Sequence, residues 1–229
     1  MFVTKEKREI KAAIFDMDGL LLDTERLCKE IFAQACEAIN IPFLEEVYLS
    51  IIGKNGQGVK EGLIAGYQAQ YRQDFDYQEI HLEWEKRYHS VTHHQAIDVK
   101  EGVVELLEWL QSQDIRLAVA TSSPKKTAQI KLELSGLAGY FDVLTTGDEV
   151  THSKPNPEIY LLAASRLNID PQYCIAFEDS NNGIRSCVAA QMDAYQIPDL
   201  VSPTEEIKQL GHHIYPSLHQ VLQSFKLVN

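Results

Sequence analysis

Apolar positions follow two rhythms along this chain. Residues 11–15 (KAAIF) form a short apolar run closed by Asp16, the pattern of a strand buried on both faces. From about residue 25 to 40, Leu27, Ile31, Ala35 and Ile39 recur at steps of four, which is one face of a helix. Residues from about 43 to 95 stay helical in flavour, through Val47, Ile51, GLIAGYQAQY and IHLEWEKRYHSV, with no convincing strand among them. After Asp98 strands and helices alternate. Helices are expected at 102–112, 124–135, 157–167, 181–190, 204–210 and 216–225, and strands at 115–121, 141–146, 173–177, 193–197 and in HHIY. That order predicts an α/β fold, a doubly wound and mostly parallel sheet interrupted by an all-helical insert. Residues 1–24 and 97–229 are assigned to the sheet domain and residues 25–96 to the insert.

In such sheets the site lies beyond the carboxyl ends of the strands. Asp16, Thr121-Ser122 and Glu178-Asp179 all end predicted strands, and Lys154 lies in the loop SKPNP after another. Asp16 and Asp18 are two apart, and Gly19 lets the chain turn so that both carboxyls can approach one point. A hard cation with oxygen ligands would reconcile them with Glu178-Asp179, and Mg²⁺ fits that set. Lys154 and the cation would offset the charge of a phosphate, whose oxygens hydroxyl and backbone N–H groups at Thr121-Ser122 can bind. A carboxylate is then a competent nucleophile toward phosphorus. A second carboxyl can protonate the leaving oxygen and later take a proton from water. One aspartate cannot do both at once, which accounts for a pair.

Composition narrows the partners. Hydrophobic residues make up 45% of the 229, enough for a sizeable core. A formal net charge of −12 argues against nucleic acid or an anionic membrane as the main partner, though local cations can still hold a small anion. No apolar run approaches the ~18 residues of a membrane span. The start MFVTKEKREI is polar and carries no secretory signal. Cys28, Cys36, Cys174 and Cys187 have no metal-ligand spacing and read as reduced thiols. The expectation is a cytoplasmic monomer acting on a small phosphorylated metabolite.

FDMDGLLLDTE, AVATSS, SKPNPEIY and FEDSNNGI, in this order, resemble the four motifs of the haloacid dehalogenase superfamily. The similarity is greatest to its β-phosphoglucomutase-like phosphatases, which carry a helical cap after the first motif. It implies a Rossmann-like core, Asp16 as nucleophile and Asp18 as general acid/base. It also implies Mg²⁺ held by Asp16, the Asp18 backbone carbonyl and Asp179, with Glu178 in support. Thr121 and Ser122 would bind phosphate and Lys154 would neutralise it. The cap loop Gly53, Lys54, Asn55 is the expected reader of the leaving group, and Tyr67, Tyr71 and Trp84 are expected in the cap core.

A sugar phosphomutase on the same scaffold is the alternative. In the mutases a hinge histidine follows the DT pair by four residues, where this chain has Cys28, and a cap-loop arginine stands where it has Gly56. A non-catalytic phospho-aspartate regulator is a further alternative, which the second acid at Asp18 and the long insert disfavour.

Overall fold

The computed structural model describes residues 2–3, 9–52 and 56–227. The expected specificity loop Gly53, Lys54, Asn55 lies outside them. The chain divides into two compact units, Met1–Asp23 with Ala96–Asn229, and Thr24–Gln95.

The first unit is built on six parallel strands: β3 (Ala12–Phe15), β4 (Arg116–Thr121), β5 (Val143–Thr146), β6 (Cys174–Glu178), β7 (Asp193–Gln196) and β8 (His213–Ile214). A separate antiparallel pair, β1 (Phe2–Val3) and β2 (Glu9–Ile10), precedes them. The sheet order is β5-β4-β3-β6-β7-β8. The chain therefore winds outward from β3 in one direction, then returns and winds outward from β6 in the other. The doubly wound architecture expected from the alternation is present, and its switch point falls between β3 and β6.

Both faces of the sheet are covered, as its sequence requires: all of β3 and β6 is buried. The two faces are filled differently because side chains alternate along a strand. One face presents Ala12, Ile14, Ala118, Ala120 and Ala176, small enough for Tyr160 and Ala163 of helix α7 (Glu158–Leu167) to lie close. The other presents Phe15, stacked on Phe177 at 4.6 Å between ring centres, with Tyr195 and Phe225 beyond. Phe225 belongs to the last helix, α10 (Leu218–Lys226), and Trp109 to α5 (Val103–Ser112). Phe2 of β1 packs edge-on against both rings. The polar reading of the N-terminus gave no hint of this pair of strands. Two apolar residues in β1 and one in β2 are too short a signal for periodicity to register.

The remaining helices of this unit are α6 (Lys125–Leu134), α8 (Asn181–Ala189) and α9 (Glu205–Lys208). Each lies within the span expected from the sequence.

The regular elements of the second unit's described residues are all helices: α1 (Thr24–Ala38), α2 (Glu45–Ile51), α3 (Gly56–Gln70) and α4 (Tyr77–Thr92). Its core joins Phe32, Tyr48, Leu63, Tyr67 and Ile80. The buried Tyr67 hydroxyl donates to Pro42 O at 2.9 Å. Trp84 packs edge-on against Phe32 at 4.9 Å. Tyr71, expected in this core, is 41% exposed instead. It directly follows the end of α3, past the residues that face inward.

Gly102, just before α5, sits at φ 82°, and a Cβ there would lie 2.3 Å from the backbone N of His219. Gly102→Ala should therefore lower the melting temperature by roughly 5 °C or more, from left-handed strain and a backbone collision together. Gly139→Ala, where a Cβ meets nothing within 4 Å, is the control expected to melt unchanged by calorimetry.

Candidate active site

The pairing of β3 with β6 sets Phe15 beside Phe177, so Asp16 and Glu178 emerge from adjacent strand ends at the switch point. The Asp16 N–H donates to Phe177 O at 3.0 Å, which fixes the chain where it leaves the sheet. Gly19, at φ 87°, then turns it, and the Gly19 N–H donates to Leu22 O at 3.0 Å. This turn places Asp18 on a different neighbour set from Asp16, although only Met17 separates them.

Lys154 stands between the carboxylates. Its Nζ donates to Asp16 Oδ1 at 2.6 Å, to Glu178 Oε1 at 2.5 Å and to Ala120 O at 3.1 Å. These three nearest acceptors match the three protons of an ammonium, with the Tyr160 hydroxyl a longer contact at 3.4 Å. The three side chains are at least nine-tenths buried. Burial works against the Lys154 charge, but the Asp16 and Glu178 carboxylates outweigh it and hold the lysine protonated. Burial likewise opposes ionisation of Glu178, and Lys154 outweighs it, so Glu178 stays below its ordinary range. Asp16 is pushed up to about 7, chiefly by burial, against the pull of Lys154 and with the charges of Glu178 and Asp18 adding to the rise. One ammonium between two carboxylates leaves a buried negative charge, and a proton or a further cation must absorb it.

Glu178 is held on every side. Tyr160 OH donates to its Oε1 at 3.0 Å, and Ser180 donates to Oε2 through N at 3.1 Å and Oγ at 3.0 Å. Ser180 also caps α8, accepting from Gly183 N at 3.0 Å. A Cβ on Gly183 would fall 1.8 Å from Glu178 Cδ, so only glycine leaves room for this carboxylate.

Asp18 has its own cation. Lys131 Nζ donates to Asp18 Oδ1 at 2.7 Å with its side chain 1% exposed. Ser123 Oγ donates to Oδ2 at 2.8 Å, and Thr121 Oγ1 reaches it at 3.4 Å while accepting from Ser123 N. Ser122 is exposed, and its carbonyl passes so close to Gly147 that a Cβ there would lie 2.3 Å away. Asp16, Glu178 and Asp179 each offer a carboxylate oxygen, all within 4.8 Å of one another, a grouping that could hold a metal ion.

The structure thus brings together Asp16, Asp18, Thr121, Lys154, Glu178 and Asp179. Sequence reasoning missed Lys131, Ser123, Tyr160 and Gly183. Lys131 left a trace: it follows Ala128 by three residues on the buried face of α6, where a lysine needs an acidic partner. In the helical unit, Cys28 and Gly56 line a cavity of about 230 Å³ with Val59, Tyr77, Trp84 and Tyr88.

Residues 13–197 match the family of haloacid dehalogenase-like hydrolases. A phosphorylated carbohydrates phosphatase of Thermotoga maritima is 35% identical over 80% of this chain and 83% of its own length. Hexitol phosphatase B of Escherichia coli is 30% identical over 83% and 85%. Among solved structures, a candidate beta-phosphoglucomutase from Thermotoga maritima superposes with a TM-score of 0.75 at 32% identity, covering 96% of this chain and all of that one.

The Asp16 environment makes a pH-dependent prediction. A carboxyl raised from 3.8 to about 7 by folding favours the native state fully at low pH, and that contribution is lost as pH rises through 7. Asp16→Asn cannot ionise. In chelator, it should melt close to the unaltered protein near pH 4 and roughly 2–5 °C higher at pH 8, by calorimetry across the range. A difference that does not change with pH would contradict the assignment.

Proposed function

The chain belongs to the haloacid dehalogenase-like hydrolases, and from that membership we propose a Mg²⁺-dependent phosphatase that acts on a small phosphorylated metabolite through Asp16. The class of reaction, phosphoric monoester hydrolysis, is the one carried by its named relatives. Their names support taking sugar and polyol phosphates as the first candidate substrates. The observation that carries the reading is the grouping of the Asp16, Glu178 and Asp179 carboxylates beside Lys154, with Asp18 one turn away on its own cation.

In this mechanism Asp16 attacks phosphorus while Lys154 holds its carboxylate in place. The ester oxygen departs with a proton from Asp18. Water then attacks the aspartyl phosphate, gives a proton back to Asp18, and frees inorganic phosphate and Asp16. Ser123 and Lys131 orient the Asp18 carboxyl for both transfers. Thr121 and Ser122 are the proposed phosphate binders, at the end of β4 beside Asp18.

The donor set fits a hard divalent ion. Four carboxylates, Asp16, Asp18, Glu178 and Asp179, face two lysines, Lys131 and Lys154, for a formal surplus of two negative charges (four minus two). Asp16, Asp179 and the Asp18 backbone carbonyl would hold Mg²⁺, which neutralises carboxylates and phosphoryl oxygens together. Both Glu178 oxygens already accept hydrogen bonds, which favours a supporting place beside the ion.

The phosphomutase alternative is weaker, because Cys28 and Gly56 stand where the mutases carry histidine and arginine. A cytoplasmic location accords with the free thiols of Cys28, Cys36, Cys174 and Cys187.

With Mg²⁺, the protein should release inorganic phosphate from members of a panel of sugar, polyol and nucleoside phosphates, and chelator should stop it. Asp16→Asn should fall to background, and Asp18→Asn should lose roughly 10²–10⁴-fold in turnover. No release from any ester would sink the phosphatase reading, and near-normal turnover in Asp18→Asn would remove that residue from the mechanism. Conversion of β-glucose 1-phosphate to glucose 6-phosphate with a bisphosphate primer would favour the mutase instead.

A further inference from the structure

A hydrogen-bonded chain lies behind the Asp179 turn, outside the groups the reaction uses. Gln196 ends β7 and pairs with Glu178, the last residue of β6. The last backbone rung between these strands lies one step past that pair, where the Ile197 N–H donates to Glu178 O at 2.7 Å. Past it, Asp179 leaves the sheet, and between that last rung and the first bond of α8, Ile184 N–H to Ser180 O at 3.0 Å, side chains add to what holds the turn. Gln196 is fully buried, where an amide needs partners at both ends. Its Nε2 donates to Asp179 O at 3.3 Å and to Asn181 Oδ1 at 3.2 Å. Its Oε1 lies 2.9 Å from His212 Nε2.

Two acceptors at Nε2 fix which way the amide points, so Oε1 accepts and His212 Nε2 donates. The imidazole is then neutral with Nδ1 bare, and Nδ1 is buried without a hydrogen-bond partner among the described residues. Burial, aided by His213, holds His212 below its ordinary range, consistent with that neutral form.

We propose that Gln196, oriented by His212, is a positioning residue for the metal-binding turn. Its amide clamps the backbone at Asp179 and the side chain at Asn181, and so aims the Asp179 carboxylate. If Gln196 served only to fill space, an apolar side chain would do so without burying an amide. Its side-chain hydrogen bonds all run either to the Asp179–Asn181 turn or to His212. The inference rests on the reading of Asp16 and Asp179 as metal ligands.

The test is Mn²⁺ binding to the whole protein, followed by the paramagnetic signal of the free ion. Gln196→Met keeps length and burial but loses the amide. It should weaken Mn²⁺ affinity roughly tenfold, the usual size for partners that orient a ligand. At saturating Mg²⁺, kcat should stay within about threefold, the loss appearing in the metal concentration needed. His212→Gln, which keeps a donor toward Gln196, should bind Mn²⁺ nearly as the unaltered protein does, and His212→Leu should bind it more weakly. Equal Mn²⁺ affinity in folded Gln196→Met and the unaltered protein overturns the proposal alone. Should Gln196→Met fail to fold, equal affinity in His212→Leu and His212→Gln overturns it. Absence of Mn²⁺ binding by the unaltered protein overturns the metal reading and this proposal with it.

Discussion

The Lys154 ammonium, closed in between Asp16 and Glu178, is the interaction on which the site depends. Parallel pairing of β3 and β6 forces two carboxylates out of neighbouring strand ends into a place with little water. Two like charges there repel strongly because the surroundings screen them poorly. A single cation between them converts the conflict into a fixed geometry. Removing the lysine would leave two uncompensated buried carboxylates, which is far more destabilising than never having built the arrangement. Much of the local architecture serves this arrangement: Tyr160 and Ser180 occupy the remaining lone pairs of Glu178, and Gly183 keeps α8 from crowding it.

The same logic recurs one turn away with a different outcome. Asp18 is paired with Lys131 instead of Lys154, and its side chain keeps some exposure, at 26%. Two acids that sit close in sequence thus have separate cations and separate degrees of access to water. That separation suits the different work proposed for them, because a group that exchanges protons with water needs access to solvent, while a nucleophile needs access only to the substrate's phosphorus.

Much of this was legible in the chain. The apolar runs before Asp16, Thr121 and Glu178 are long enough and pure enough to read as buried strands, and the sheet rule then gathers their polar ends at one edge. Lys154 could be placed there for the same reason. What escaped was whatever depends on three-dimensional closeness without a local pattern. Phe2 belongs to a strand two residues long. Ser123 is one more hydroxyl in a run of them. Gly183 matters through a carboxylate five positions earlier, and Tyr160 looks like an ordinary apolar residue of α7. Lys131 was hidden in a helix otherwise read by its apolar spacing. In the helical unit, spacing indicated helices but not which aromatic side faced inward, so Tyr71 was assigned to a core that Tyr67 fills.

The distribution of tryptophan has a practical consequence. The sequence holds two, and each compact unit has one: Trp84 against Phe32 in the helical unit, Trp109 against Phe2 and Phe225 in the sheet unit. Each indole is half-buried among aromatic rings, so its emission changes when its own surroundings loosen. Replacing either by phenylalanine leaves a fluorophore that reports on one unit alone. The molecule thus carries built-in optical probes able to tell whether its two halves melt together or in turn, a distinction that a single bulk transition conceals.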